Sequence, residues 1–174
     1  MEYTIMPARI PVFVSCPTKM SIEQSAVRDY MTDLLTSEGL EPRTLGGSDF
    51  GIEFPLKEVY SIARHCSGGV ILGFEQMFAE AVTIKPGTSQ QKMVKDVSFP
   101  TPWNNLEAGL LFALRLPLVV FCEDGIGGGV FDPGVSEVFI QNLPRNLPTG
   151  YQDQLLKTVI QNWAGKVRAH YREY

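Results

Sequence analysis

The chain is poor in the residues that build metal sites, redox pairs and hydrolytic triads. Its 174 residues include three cysteines and two histidines. Cys16, Cys66 and Cys122 share no metal-ligand spacing, and each lies in or beside an apolar run. Buried thiols are therefore expected, not a zinc site or a disulfide framework. His65 and His170 are far apart and have no companion Cys or Asp pattern, which argues against a structural metal and against a Ser-His-Asp triad. No apolar run approaches a membrane span, and the N-terminus lacks the charged and apolar regions of a signal peptide. A cytoplasmic location without membrane partners is expected. A basic excess is missing too. Fifteen Lys and Arg against nineteen Asp and Glu leave a net charge of -4, which gives no general attraction to nucleic acid. The one basic stretch, Lys166 to Arg172, reads as a solvated helix face. Internal repeats and low-complexity tracts are absent.

What is present is ordinary for a globular protein: 44% hydrophobic and 20% charged residues. The length suits one domain, 1–174, with a core at about 10–145 and a closing helix at about 151–172. Pro11 to Ser15 reads as a buried strand followed by the turn-like Cys16-Pro-Thr-Lys19. Ser21 is placed to cap an amphipathic helix carrying Ile22, Ala26, Val27, Tyr30, Met31, Leu34 and Leu35. Gly39 ends that helix, and Leu40 to Leu45 gives a short strand near an edge because of Pro42. A glycine-rich loop, Gly46 to Gly51, precedes a helix over Leu56 to His65, and Ser67 to Gly73 is an apolar strand covered on both faces. Phe74 to Ala81 is read as helical, with a hairpin or excursion at Lys85 to Ser89. A helix over Trp103 to Leu114, with Leu106, Leu110, Leu111 and Leu114 recurring at helical spacing as a packing stripe, leads into the strand Pro117 to Cys122. Glu137 to Ile140 is expected to be a fifth strand, and Tyr151 to Arg172 a last helix.

Alternating strands and helices imply right-handed βαβ units, an α/β fold and a parallel sheet of about five strands. Ligands of such sheets bind beyond the carboxyl ends of the strands. The loops Ser15–Lys19, Gly46–Glu53, Gly73–Phe78 and Glu123–Gly129 should therefore converge on a crevice. Ser15, Cys16, Pro17 and Thr18 could offer hydroxyls and backbone N–H groups there, while Asp49 or Glu53 could reach ribose hydroxyls. Gly125 to Gly129 resembles a dinucleotide fingerprint only superficially. It runs into Val-Phe-Asp-Pro, which opens no helix to hold a pyrophosphate.

Trp103 and Glu107 form the constellation with the most chemistry. Four residues apart, they share one helix face, with Glu107 expected in the first turn, where a carboxylate complements the helix dipole. An indole can stack on a base while a carboxylate stabilises or traps an oxocarbenium-like ribose. The same pair also suits a core tryptophan and a helix-terminal acid, and residue types alone leave both readings open.

These pieces resemble the TIR and TIR-like superfamily, related in fold to nucleoside 2-deoxyribosyltransferases. The matching segments are Val12-Phe-Val-Ser-Cys-Pro17, the Gly46–Pro55 loop, Ser67-Gly-Gly-Val-Ile-Leu-Gly73 and Trp103-Asn-Asn-Leu-Glu107. The last matches the W-x-x-x-E pattern that carries the catalytic glutamate of NAD-cleaving TIR domains. The resemblance covers roughly residues 10 to 145. It implies a flavodoxin-like three-layer sandwich that cleaves the nicotinamide–ribose bond of NAD, with NAD as substrate and no further cofactor or metal. It also implies self-association, a place in bacterial anti-phage signalling and a partner effector. Glu107 would be catalytic. Trp103, Phe13, Ser15, Cys16, Pro17, Thr18, Gly46, Gly47, Asp49, Gly73, Phe74 and Asn104 would line the substrate pocket. A long insertion at Ala79–Thr101 and the Ser-Cys-Pro-Thr loop depart from typical TIR domains. They leave two alternatives: a deoxyribosyltransferase-like N-glycosidase, and a non-catalytic module that binds a nucleotide or another TIR domain.

Overall fold

The structure is a computed structural model that describes residues 8–45, 54–136 and 138–173. The Gly46–Glu53 loop, with Gly46, Gly47 and Asp49, lies outside the described residues. The chain runs β1 (Ile10–Ser15), α1 (Ile22–Ser37), β2 (Leu40–Arg43), α2 (Pro55–Ala63), β3 (Gly69–Gly73), β4 (Met77–Ile84), β5 (Lys92–Phe99), α3 (Pro102–Ala113), β6 (Leu118–Cys122), β7 (Ile140–Asn142) and α4 (Gly150–Glu173). Five strands form one sheet in the order β2-β1-β3-β6-β7, and every neighbouring pair in it is parallel. This is the flavodoxin-like winding, whose crevice opens where the strand order reverses between β1 and β3.

The period-two alternation of the strands builds the three layers. Val12, Val14, Val70, Leu72, Val119 and Phe121 pack on one face against Val27, Met31 and Leu35 of α1 and Ile160, Trp163 and Val167 of α4. Phe13, Ile71, Leu118, Val120 and Cys122 face the opposite way, onto Val59 and Ala63 of α2 and Ala108 and Leu111 of α3. Two glycines at the start of β3 let helices approach from both sides. A Cβ on Gly68 would stand 2.8 Å from the Trp163 ring, and one on Gly69 would stand 2.8 Å from Leu111. Trp163 is anchored as well, its indole N–H donating to the Pro117 carbonyl at 3.1 Å. None of the three cysteines is in a disulfide.

Helix starts follow their caps. The Ser21 hydroxyl accepts from the Gln24 backbone N–H, and the Gln24 side chain accepts from Ser21 N–H, a complete capping box. The Thr101 hydroxyl accepts from Trp103 N–H, with Pro102 at the first helical position of α3.

Three sequence expectations are corrected. Phe74 to Ala81 is not helical: Met77–Ile84 pairs antiparallel with Lys92–Phe99 in a separate two-stranded sheet. The segment ends in three β-branched residues, Val82, Thr83 and Ile84, and the Lys85-Pro-Gly turn follows them, so strand pairing prevails over local helix propensity. The fifth sheet strand is Ile140–Asn142, which begins where the expected strand ends. In α3, Leu106 does not face the core and is 47% exposed. The buried face is Asn104, Glu107, Ala108 and Leu111, so two polar residues point inward where an apolar stripe was expected.

Candidate active site

Glu107 is turned inward at the carboxyl end of the sheet. It lies beyond the first turn of α3, which begins at Pro102 and has no acid in its first turn. Helix-dipole complementation is therefore not its role. It is only 6% exposed, and desolvation raises its carboxyl pKa from 4.5 to about 7, against a hydrogen bond from Ser15 that favours the charged form. A carboxylate held this way is half-ionised near neutrality, a state suited to acid, base or nucleophilic work and of no value to a structural cap.

Above it lies a cavity of about 460 Å³. Its walls come from the β1–α1 connection (Cys16, Pro17, Thr18 and Lys19), the end of β2 (Thr44 and Leu45), Pro55 at the start of α2, Gln76 before the hairpin, and Thr101, Trp103 and Glu107 of α3. Trp103 is 39% exposed, so it is a wall of the cavity and not a core residue. Glu107 is the one carboxylate among the described residues that line it. Lys19 brings an ammonium to the rim. Burial pushes the Cys16 thiol upward, and the charge of Glu107 adds to that shift, so Cys16 is a poor nucleophile here.

Beneath the carboxylate is a buried polar layer. Asn104 is fully enclosed. Its side-chain N–H groups reach the Ser15 hydroxyl at 2.8 Å and the Ser15 and Leu72 carbonyls at 3.4 Å each. These contacts tie α3 to the ends of β1 and β3, where the strand order reverses.

Of the expected site residues, Glu107, Trp103, Cys16, Pro17 and Thr18 come together around the cavity. The others that are described do not line it. Phe13 and Phe74 are fully buried in the two core clusters, because their alternation in and after the strands points them at helices. A side chain at Gly73 would meet the Phe131 ring at 2.5 Å, so this glycine serves packing. Ser15 and Asn104, 1% and 0% exposed, sit under Glu107. The Glu123–Gly129 loop stays away from the cavity: Glu123 is buried on another side, accepting from Glu75 N–H at 2.7 Å and from the Gln24 amide at 3.2 Å. Gly129 to Phe131 forms a short 3-10 turn where a dinucleotide fingerprint would open a helix.

Lys19 and Gln76 belong to the loops Ser15–Lys19 and Gly73–Phe78 that were expected at the crevice, although neither was singled out, and Thr44, Leu45, Pro55 and Thr101 were not named as site residues. Thr44 and Leu45 directly follow the parallel strand β2, so the carboxyl-end rule reaches them. Among the described residues no group of His, Cys, Asp and Glu could hold a metal ion, and no helix is long and apolar enough to cross a membrane.

No protein-family model matches the chain, and no curated protein matches it in sequence. Solved structures do share its fold. A flavodiiron core from Synechocystis sp. superposes with a TM-score of 0.51 at 11% identity, covering 96% of this chain, which spans only 37% of that one. A diflavin flavoprotein from Nostoc sp. gives 0.51 at 13% identity over 95% of this chain and 97% of that one. A CMP N-glycosidase from Clostridium botulinum gives 0.50 at 12% identity over 86% of this chain and 97% of that one. At these identities the likeness establishes the flavodoxin-like α/β fold.

Proposed function

We propose that the chain is an N-glycosidase that cleaves the bond between a base and the ribose of a nucleotide, with Glu107 as its catalytic carboxylate and NAD as its substrate. The observation that carries this reading is a nearly enclosed acid, the one carboxylate in the described lining, poised near neutrality on the floor of a cavity walled by a half-exposed tryptophan. The same two residues form the W-x-x-x-E element of the sequence resemblance to NAD-cleaving TIR domains. A CMP N-glycosidase among the fold neighbours is consistent with this chemistry on this architecture.

The chemistry follows from the charges. Breaking the C1′–N bond sends the bonding pair to the base and leaves positive charge on the ribose. Ionised Glu107, in a site of low dielectric, stabilises that charge or bonds to C1′. Water then takes the position at C1′ and gives up a proton. Nicotinamide in NAD is a pyridinium, so it leaves as a neutral molecule and needs no proton donor. A cavity whose described lining holds one carboxylate suits that leaving group. Cytosine or a purine leaves better when a general acid protonates it, and this favours NAD over an ordinary nucleoside. Trp103 supplies a flat apolar wall on which the leaving base stacks.

The test is product analysis by mass spectrometry after incubation with NAD, nucleoside monophosphates and free nucleosides. Nicotinamide release from NAD, lost in Glu107→Gln, supports the reading. Turnover of nucleosides or monophosphates but not NAD moves the assignment to the deoxyribosyltransferase-like class. Ligand binding with no turnover of any substrate in concentrated protein rejects the enzyme.

A further inference from the structure

Asn104 and Ser15 are too deeply buried to touch a substrate, yet they spend polar groups directly beneath Glu107. The arrangement has a fixed direction. The two carbonyls that Asn104 faces, those of Ser15 and Leu72, can only accept, so the side-chain atom turned toward them must be the amide nitrogen. That nitrogen also donates to the Ser15 hydroxyl at 2.8 Å. The hydroxyl oxygen is thereby used as an acceptor, and its single proton is left for the Glu107 carboxylate, which shares the buried face of α3 with Asn104 and lines the cavity beside Cys16, the neighbour of Ser15. The Asn104 carbonyl oxygen is buried with no partner. Leaving a buried acceptor unpaired is costly, and that cost is accepted in a place where the donor is fully engaged.

We propose that Asn104 and Ser15 are positioning residues forming a one-way donor chain, from the Asn104 amide to the Ser15 hydroxyl to the Glu107 carboxylate, that orients the catalytic acid. The role rests on the catalytic assignment of Glu107 made above. The chain opposes desolvation, which alone would keep Glu107 protonated and unable to stabilise a cation. Among the described residues, the other titratable groups lining the cavity are Cys16 and Lys19 of the β1–α1 connection. The end of β2, the start of α2 and the segment before the hairpin contribute Thr44, Leu45, Pro55 and Gln76, none of which titrates.

The experiment follows the Glu107 carboxyl carbon by NMR in protein labelled at glutamate, with its signal identified by loss in Glu107→Gln. Ser15→Ala is expected to raise the titration midpoint by about one pH unit, the effect of removing one hydrogen bond to a charged acceptor. Ser15→Thr, which keeps the hydroxyl, should titrate as wild type does. Asn104→Leu should shift the midpoint upward too, and the double variant Ser15→Ala/Asn104→Leu no further than Ser15→Ala alone, because Asn104 acts through Ser15. An unchanged or lower midpoint in Ser15→Ala overturns the donor chain, as does full additivity in the double variant. Should Asn104→Leu fail to fold, the Ser15→Ala and Ser15→Thr pair decides. The titration needs no substrate. A chain that shifts as described but cleaves no N-glycosidic bond keeps the donor network and loses the proposed function.

Discussion

Replacing Glu107 with Gln should make the protein more stable at alkaline pH and leave it nearly unchanged at acid pH. Burial raises the Glu107 pKa from 4.5 to about 7 in the folded state, while in the unfolded chain it stays near its ordinary value. The folded state therefore holds a proton that the unfolded state releases. Below the unfolded value both states are protonated and the group adds nothing. As pH rises through the folded value, wild type must bury a charge, and its stability falls. A shift of this size corresponds to about 3 kcal/mol when fully developed. Between pH 5 and 8.5 the gap between Glu107→Gln and wild type should widen by about 2–3 kcal/mol. Gln keeps an oxygen to accept from Ser15, so the comparison isolates the charge. Urea denaturation of both proteins at several pH values measures the gap directly. A gap that stays constant across this range would mean that Glu107 is not desolvated, and the reasoning about a poised acid would fail with it.

Other substitutions separate packing from chemistry. Gly73→Ala should cost about 1–3 kcal/mol, because its methyl group would meet the Phe131 ring at 2.5 Å and the Cys122 Cβ at 3.0 Å. Unchanged denaturation would contradict the packing role. Ser21→Ala removes the hydroxyl that caps α1 and should lower stability by about 1 kcal/mol, measured the same way. Trp103→Ala should raise KM for NAD at least tenfold with little loss of stability, since the side chain is 39% exposed, whereas Trp103→Phe should retain most affinity. Equal KM values for wild type and Trp103→Ala would remove the indole from the site.

Much of the fold was legible because the strands carry their own evidence. Val12, Phe13 and Val14, like Val70, Ile71 and Leu72, are apolar on both faces, which is what a central parallel strand needs, and Ser21 marks a helix start by its chemistry alone. The hairpin was legible only at its turn, Lys85 to Ser89; that Met77–Ile84 forms its first strand was not. Met77–Ile84 and Lys92–Phe99 stabilise each other across a turn, and a pairing of that kind is invisible to a reading that weighs one segment at a time. The site divided along the same line. Glu107, Trp103 and the Cys16–Thr18 turn were reachable from spacing and the carboxyl-end rule. Phe13, Phe74 and Gly73 were misplaced because proximity in sequence to a crevice does not say which way a side chain points. Ser15 and Asn104 were found, but under the acid and not around the ligand. Only the three-dimensional crossing of β1, β3 and α3 reveals that difference.

The central claim is that Glu107 performs the bond cleavage. Its most direct test is the rate of nicotinamide release from NAD by wild type and by Glu107→Gln, with folding of both verified by circular dichroism. The account predicts a fall of about a thousandfold or more, the scale seen when a catalytic carboxylate or its charge is removed. Release by Glu107→Gln within tenfold of wild type would contradict it.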